Sequence, residues 1–319
     1  MSAVVQALLM VGAASGGALP TLAHLGDKGL RGGGTIPSGG PRTASIDYIA
    51  IPTTGDASSF GSLSSARGSG LAGGSNGTRG LFSGGGTGGG PTAVSTVDYV
   101  TIASSGSTAS WGNLNTARHY CTGDSNGTYT MVGGGYTGST ELQSVERLVT
   151  ATGASKTAWG NLSTTRWAFA SASDDTTAVW FGGLSSGSAI KSMDATIIAT
   201  TGSASSFGNL SANQFFGAGA ASNSKRGLYG GGYDTGDRDE IEYVSIPTAG
   251  NSASFGALTL ARRGVMACSS GTRVAWLGGY DGTSSYNTID YVDPDMLSSA
   301  TDFGDLTVLV RDGVGLSGD

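Results

Sequence analysis

Along much of the chain, apolar and polar residues alternate in short runs such as Val97-Asp98-Tyr99-Val100-Thr101-Ile102, divided by clusters of Gly, Ser, Thr and Asn. A period of two marks a strand with one face buried. No segment sustains the 3.6-residue apolar period of an amphipathic helix, so the chain is expected to be all-β. The runs are also spaced regularly. An aromatic-Gly-x-Leu tetrad starts at Phe60, Trp111, Trp159, Phe207, Phe255 and Phe303, in one step of 51 residues and four of 48. An acidic residue keeps the same steps at Asp47, Asp98, Glu146, Asp194, Glu242 and Asp290. Six copies in register make this a repeat protein.

Each repeat divides into four short strands. The first follows the tetrad and carries small and apolar residues. Ser-Asn-Gly at 75–77 and 125–127 then marks a hairpin turn, in which both turn positions are expected at positive φ. The second strand runs into a glycine pair or triplet, the third holds the acidic residue, and the fourth contains the tetrad aromatic. Four antiparallel strands in about 48 residues, six times over, predict a six-bladed β-propeller with one sheet per repeat. Leu8-Leu9-Met10-Val11-Gly12 aligns with the second strands. It is read as the strand that pairs with the C-terminal strand and closes the ring, in preference to a signal-peptide core, because no basic residue precedes it. Residues 1–319 are then one domain, with residues 19–40 an insertion in the first blade.

Strand-Gly-Gly, an acid in the next strand, Trp-x-x-Leu and then Arg resembles the kelch repeat over the whole chain. The wording IDYIAIPTTGDASSFGSLSSAR and IEYVSIPTAGNSASFGALTLAR is similar to kelch-like repeats in structural proteins of tailed, especially marine, bacteriophages. The resemblance implies a kelch-type propeller in a virion, made in the host cytoplasm, as a non-enzymatic component of a tail fibre, tail knob or other appendage engaged in host attachment. Its partners would be other tail or capsid proteins and a host cell-surface glycan or protein. A kelch-type interaction adaptor is the alternative reading, with a carbohydrate-active enzyme a remoter one.

Composition narrows this further. The 57 glycines sit at fixed repeat positions between apolar runs, which points to turns and close packing instead of disorder. A net charge of −6 without any basic stripe excludes a phosphate-reading surface, so no nucleic acid partner is expected. No stretch of eighteen apolar residues exists, so no membrane insertion is expected. Cys121 and Cys268 lie at different repeat offsets and are not expected to pair.

In four repeats the acid is followed by Arg twenty residues on: Asp47/Arg67, Asp98/Arg118, Glu146/Arg166 and Glu242/Arg262. These are read as buried clasps tying strands within or between blades. The run of glycines at 84–89 fits G-x-G-x-x-G, but a strand instead of a helix follows it, so it is a loop and no phosphate cradle. Neither catalytic residues nor a metal or cofactor are expected, since His24 and His119 lack a nucleophile elbow or ligand cluster around them. Tyr136, Tyr233 and Tyr280 each follow a glycine pair and are candidate binding residues on a loop face. His24, Lys28 and Arg31 of the insertion are placed beside them.

Overall fold

A computed structural model describes residues 22–319 except 38, 39, 91, 217, 218 and 224, with backbone alone at 219–222. The fold is a ring of six four-stranded antiparallel sheets. Blade two shows the common plan in Ala72–Ser75, Arg79–Ser83, Thr96–Thr101 and Ala109–Asn113, numbered outward from the axis. Blades three to six repeat it from inner strands Thr122–Ser125, Ala170–Ser173, Gly219–Ser222 and Met266–Ser269. The inner strands begin a few residues later than the apolar pattern suggests, because a short linker precedes each. We call upper the face that carries the glycine pairs and these linkers, and lower the face of the Asn-Gly hairpins. At Asn76-Gly77 only the glycine adopts positive φ, +86°. Asn76 instead accepts the backbone N–H of Arg79 on its Oδ1, at 2.7 Å, an Asx turn.

Blade one is built from both ends of the ring, Val314–Gly318 pairing with Lys28–Gly32, and is completed by Ser45–Ala50 and Ser58–Ser62. The expected partner, Leu8–Gly12, lies outside the described residues. The segment read as an insertion over residues 19–40 therefore contains the second strand itself. Gly29-Leu30-Arg31-Gly32-Gly33-Gly34 matches Gly80-Leu81-Phe82-Ser83-Gly84-Gly85 at the 51-residue step. The match is hidden by Arg31, which puts a charge where the other blades have an apolar or aromatic residue.

The tetrad makes the seams between blades. In all six blades the ladder between third and fourth strands slips at the acid: Val97 faces Gly112 and Asp98 faces Ser110, so Trp111 is the extra residue of a β-bulge. The bulge turns the aromatic into the space between sheets. Six apolar clusters result, one per seam; Phe60 and Leu63 of blade one, for example, pack with Phe82 and Val100 of blade two. Each such aromatic contributes about 1.5–3 kcal/mol by burial. Its carbonyl is used too: Trp159 O accepts the backbone N–H of Gly202, at 3.0 Å, from the lower loop of the next blade.

Cys121 and Cys268 are free, buried in different seams, and lifted by desolvation to about 11 and about 12. Neither thiol is expected to react with a disulfide reagent at pH 8 until the protein is unfolded, when both should. Titration of native protein revealing one reactive thiol would contradict this placement.

Candidate binding site

The acid–arginine pairs are present, but not at twenty-residue spacing. Each Arg reaches forward to the acid of the following blade: Arg67 to Asp98 at 2.7 Å, Arg118 to Glu146 at 2.8 Å, Arg166 to Asp194 at 3.1 Å and Arg262 to Asp290 at 2.9 Å. The linker carrying the Arg crosses the seam, so the within-repeat spacing joins groups that belong to different clasps. The residue after each tetrad completes the site, as where Ser64 donates its N–H and Oγ–H to Asp98. At Glu242 the cation is replaced by Gln214 Nε2, at 2.9 Å, with Ser211 and Ser252 adding donors.

Asp47 shows how the cradle is defined. The ring position that should supply its Arg is Val310. Arg31 instead enters from the second strand of the same blade and pairs with Asp47, which also accepts from Thr307. Arg31 Nη1 donates to Gly33 O and Ser45 O, the counterparts of Gly84 O and Thr96 O that receive Arg67 Nη1. One guanidinium site is thus filled from two different backbone positions. Burial pulls the pKa of Arg31, Arg67, Arg166 and Arg262 below the ordinary value, opposed in each case by the paired carboxylate. These charges are spent inside the seams, and Arg31 is not on any binding surface.

Lys28 and His24 also lie away from the tyrosines, because the chain here runs below the ring. Lys28 sits 5.7 Å from the Tyr48 ring centroid and donates to Ile102 O and Ala103 O of blade two. The same device recurs where Arg79 stacks on Tyr99 and donates to Ala151 O. Leu22, His24 and Leu25 are buried across the lower mouth of the central channel. His24 Nδ1 lies 2.6 Å from Asp175 Oδ1, and the residual space beneath, about 60 Å³, is closed by inner strands of small residues.

The upper mouth is different. Each linker places a residue at positive φ on the rim, Ser69, Tyr120, Ala168, Phe216, Gly264 and Asp312, with Gly70 after Ser69 also at positive φ. Their main chains are joined around the axis: Tyr120 N donates to Ser69 O, Ala168 N to Tyr120 O, Gly264 N to Phe216 O, Asp312 N to Gly264 O and Gly70 N to Asp312 O, at 2.6–2.9 Å. Left-handed backbone in a bulky residue such as Tyr120 or Phe216 costs about 1–3 kcal/mol; hydrogen bonds through both its N–H and its C=O hold Tyr120 there, and Phe216 is held through its C=O. Of the rim residues, Tyr120, Ala168, Phe216 and Asp312 line the opening with their side chains.

Tyr136, Tyr233 and Tyr280 are all on this face, half-buried. Tyr136 stacks on Trp167 at 5.8 Å and meets the edge of His119 at 5.6 Å. Tyr233 and Tyr280 belong to a ladder of alternating rings and cations. Arg263 lies 4.3 Å from the Tyr233 centroid and 5.2 Å from that of Tyr280, whose ring also carries Arg311, at 3.8 Å. Beside the ladder is a cavity of about 280 Å³ whose walls include Tyr120 and Phe216, with Asp312 at its edge. Burial raises the Asp312 carboxyl pKa, opposed by Arg311, Arg42 and Arg263. Arg263, Arg311, Tyr120 and Phe216 are not among the candidate binding residues that the sequence suggests. Their signal is a cation or aromatic one or two places after the clasp position, as in Arg262-Arg263 and His119-Tyr120.

His119 is buried with neither ring nitrogen hydrogen-bonded, and desolvation, with Arg42 adding to it, lowers its pKa to about 4. With the folded pKa below the unfolded one, only the unfolded state takes up this proton between about pH 6.5 and 4, so stability is at its full value above about pH 6.5 and falls as pH drops toward about 4. His119→Phe is expected to leave stability at pH 7 equal or higher, and to flatten the decline between about pH 6.5 and 4. Parallel stability–pH curves for the two proteins would refute this.

Among the described residues no group of His, Cys, Asp and Glu is arranged to hold a metal ion, and no helix is long and apolar enough to cross a membrane. A scan against protein-family models finds no match, and a search of curated proteins finds none.

Proposed function

We propose that this chain is a kelch-like, non-enzymatic structural protein of a bacteriophage virion, carried on a tail fibre, tail knob or other appendage, and that it contributes to host attachment through its upper mouth. The observation that carries the attachment reading is the gathering of half-exposed tyrosines and arginines on a strained, hydrogen-bonded rim, while the clasp arginines Arg31, Arg67, Arg118, Arg166 and Arg262 are used inside the seams. Aromatic and arginine side chains are the usual anchors of recognition surfaces. The virion assignment rests on the wording of the repeats. A rigid ring presents such anchors without ordering cost on binding. The adaptor reading would use the same mouth for a protein partner.

Gold-tagged antibodies against the protein, applied to purified particles and imaged, test the reading. Gold at the outer end of an appendage supports attachment. Gold at a tail or capsid joint would make the protein an internal connector, and unlabelled particles would remove the virion assignment.

A further inference from the structure

We propose that the cavity beside the Tyr233–Arg263–Tyr280–Arg311 ladder binds a sugar residue bearing a carboxylate, such as a uronic or sialic acid unit of a glycan. The proposal deepens the attachment reading and rests on it for its biology, but not for its chemistry.

The ladder decides the functional group. Arg263 is sandwiched between two tyrosine rings, and Arg311 stacks on one of them. Stacking occupies the face of a guanidinium and leaves its N–H groups in the plane. The nearest carboxylates do not saturate them: Arg263 is 3.5 Å from Asp237 and Arg311 is 3.7 Å from Asp312, both beyond good hydrogen-bonding distance. A planar acceptor meets such edges in parallel, and a carboxylate is that acceptor. Two guanidinium groups face one lining carboxylate, so the cavity favours a monoanion. A dianion such as a phosphate monoester would be pressed against Asp312.

The walls decide the rest. About 280 Å³ sits at the low end for small-ligand pockets, a size for one ring. The Phe216 carbonyl and both main-chain groups of Gly264 and Asp312 are committed to the rim hydrogen bonds, so they are not free to hold a peptide through its backbone. A pyranose needs none of them: its C–H face lies on an aromatic ring such as Tyr120 or Phe216, and a hydroxyl donates to Asp312.

The test is calorimetric titration of the whole purified protein with trigalacturonate, its fully methyl-esterified form and sialyllactose, with a galactose 6-sulfate trisaccharide as the tetrahedral anion. Trigalacturonate or sialyllactose should bind, and esterification should weaken trigalacturonate binding about tenfold or more. Arg263→Gln and Arg311→Gln should each weaken it about ten- to one-hundredfold. Arg147→Gln, on the lower side over Tyr129, should change nothing, and thermal melts would confirm that all three variants fold. Equal binding of acid and ester, tighter binding of the sulfate, or no binding of either carboxylate sugar would overturn the proposal. The last result together with gold at an appendage tip would sink the sugar and leave attachment standing. Sugar binding by a protein absent from particles would do the reverse.

Discussion

Arg31→Phe is expected to lower the unfolding free energy by about 3–5 kcal/mol, the usual cost of removing one partner from a buried ion pair. Phenylalanine is the residue that blade two carries at this position, Phe82, so shape is not the reason for the loss. The cause is Asp47, buried at 1% exposure and left with the Thr307 hydroxyl as its remaining side-chain donor. Adding Val310→Arg should then recover at least half of the loss, because Val310 stands where the other seams launch their guanidinium. Val310→Arg alone should destabilise, since the cradle is already full. Equilibrium denaturation of the four proteins gives the coupling directly. Additive effects would mean that the two backbone positions do not share one site.

The second large effect concerns the glycine of the tetrad. Gly160→Ala is expected to cost about 3 kcal/mol or more, combining overpacking with left-handed strain. Its φ is +155°, and a Cβ there would lie 1.7 Å from Gly202 O of the next blade. Gly112 has φ +140°, yet its nearest neighbour would be Ala154 Cα at 3.4 Å. Gly112→Ala should therefore cost about 1 kcal/mol, the conformational part alone. Denaturant midpoints of the two variants measure the difference. Similar losses would show that φ and not the seam explains the conserved spacing of these glycines along the chain.

The repeat was readable because the same physical demands recur at every seam: an aromatic to fill it, a glycine to admit the neighbour's loop, an acid to receive donors across it. Strand number, blade number and ring closure follow from that. The starting frame did not, because Arg31 interrupts the apolar pattern of Lys28–Gly32 while Leu8–Gly12, a more apolar run, fits it better. Closure depends on which backbone lies beside Val314–Gly318, and composition does not report this. Clasp partners were misassigned for a related reason: spacing within a repeat says nothing about the seam that the linker crosses. Of the upper mouth, the tyrosines were legible from the glycine pairs before them. Arg263 and Arg311 were not, since their role comes from linkers curling over the channel and bringing blades five, six and one together.

The pairing of Lys28–Gly32 with Val314–Gly318 also orders events during synthesis. Five blades can fold as they emerge from the ribosome, each hairpin finding partners close in sequence. Blade one has to wait, one edge of Lys28–Gly32 staying open until Val314–Gly318 arrives. Closing so long a loop is entropically slow, and an open strand edge invites pairing with another chain. Among the described strands the earliest made is the last to be protected, so the rate at which chains are completed relative to the rate at which unfinished ones meet should govern how much of this protein is recovered folded.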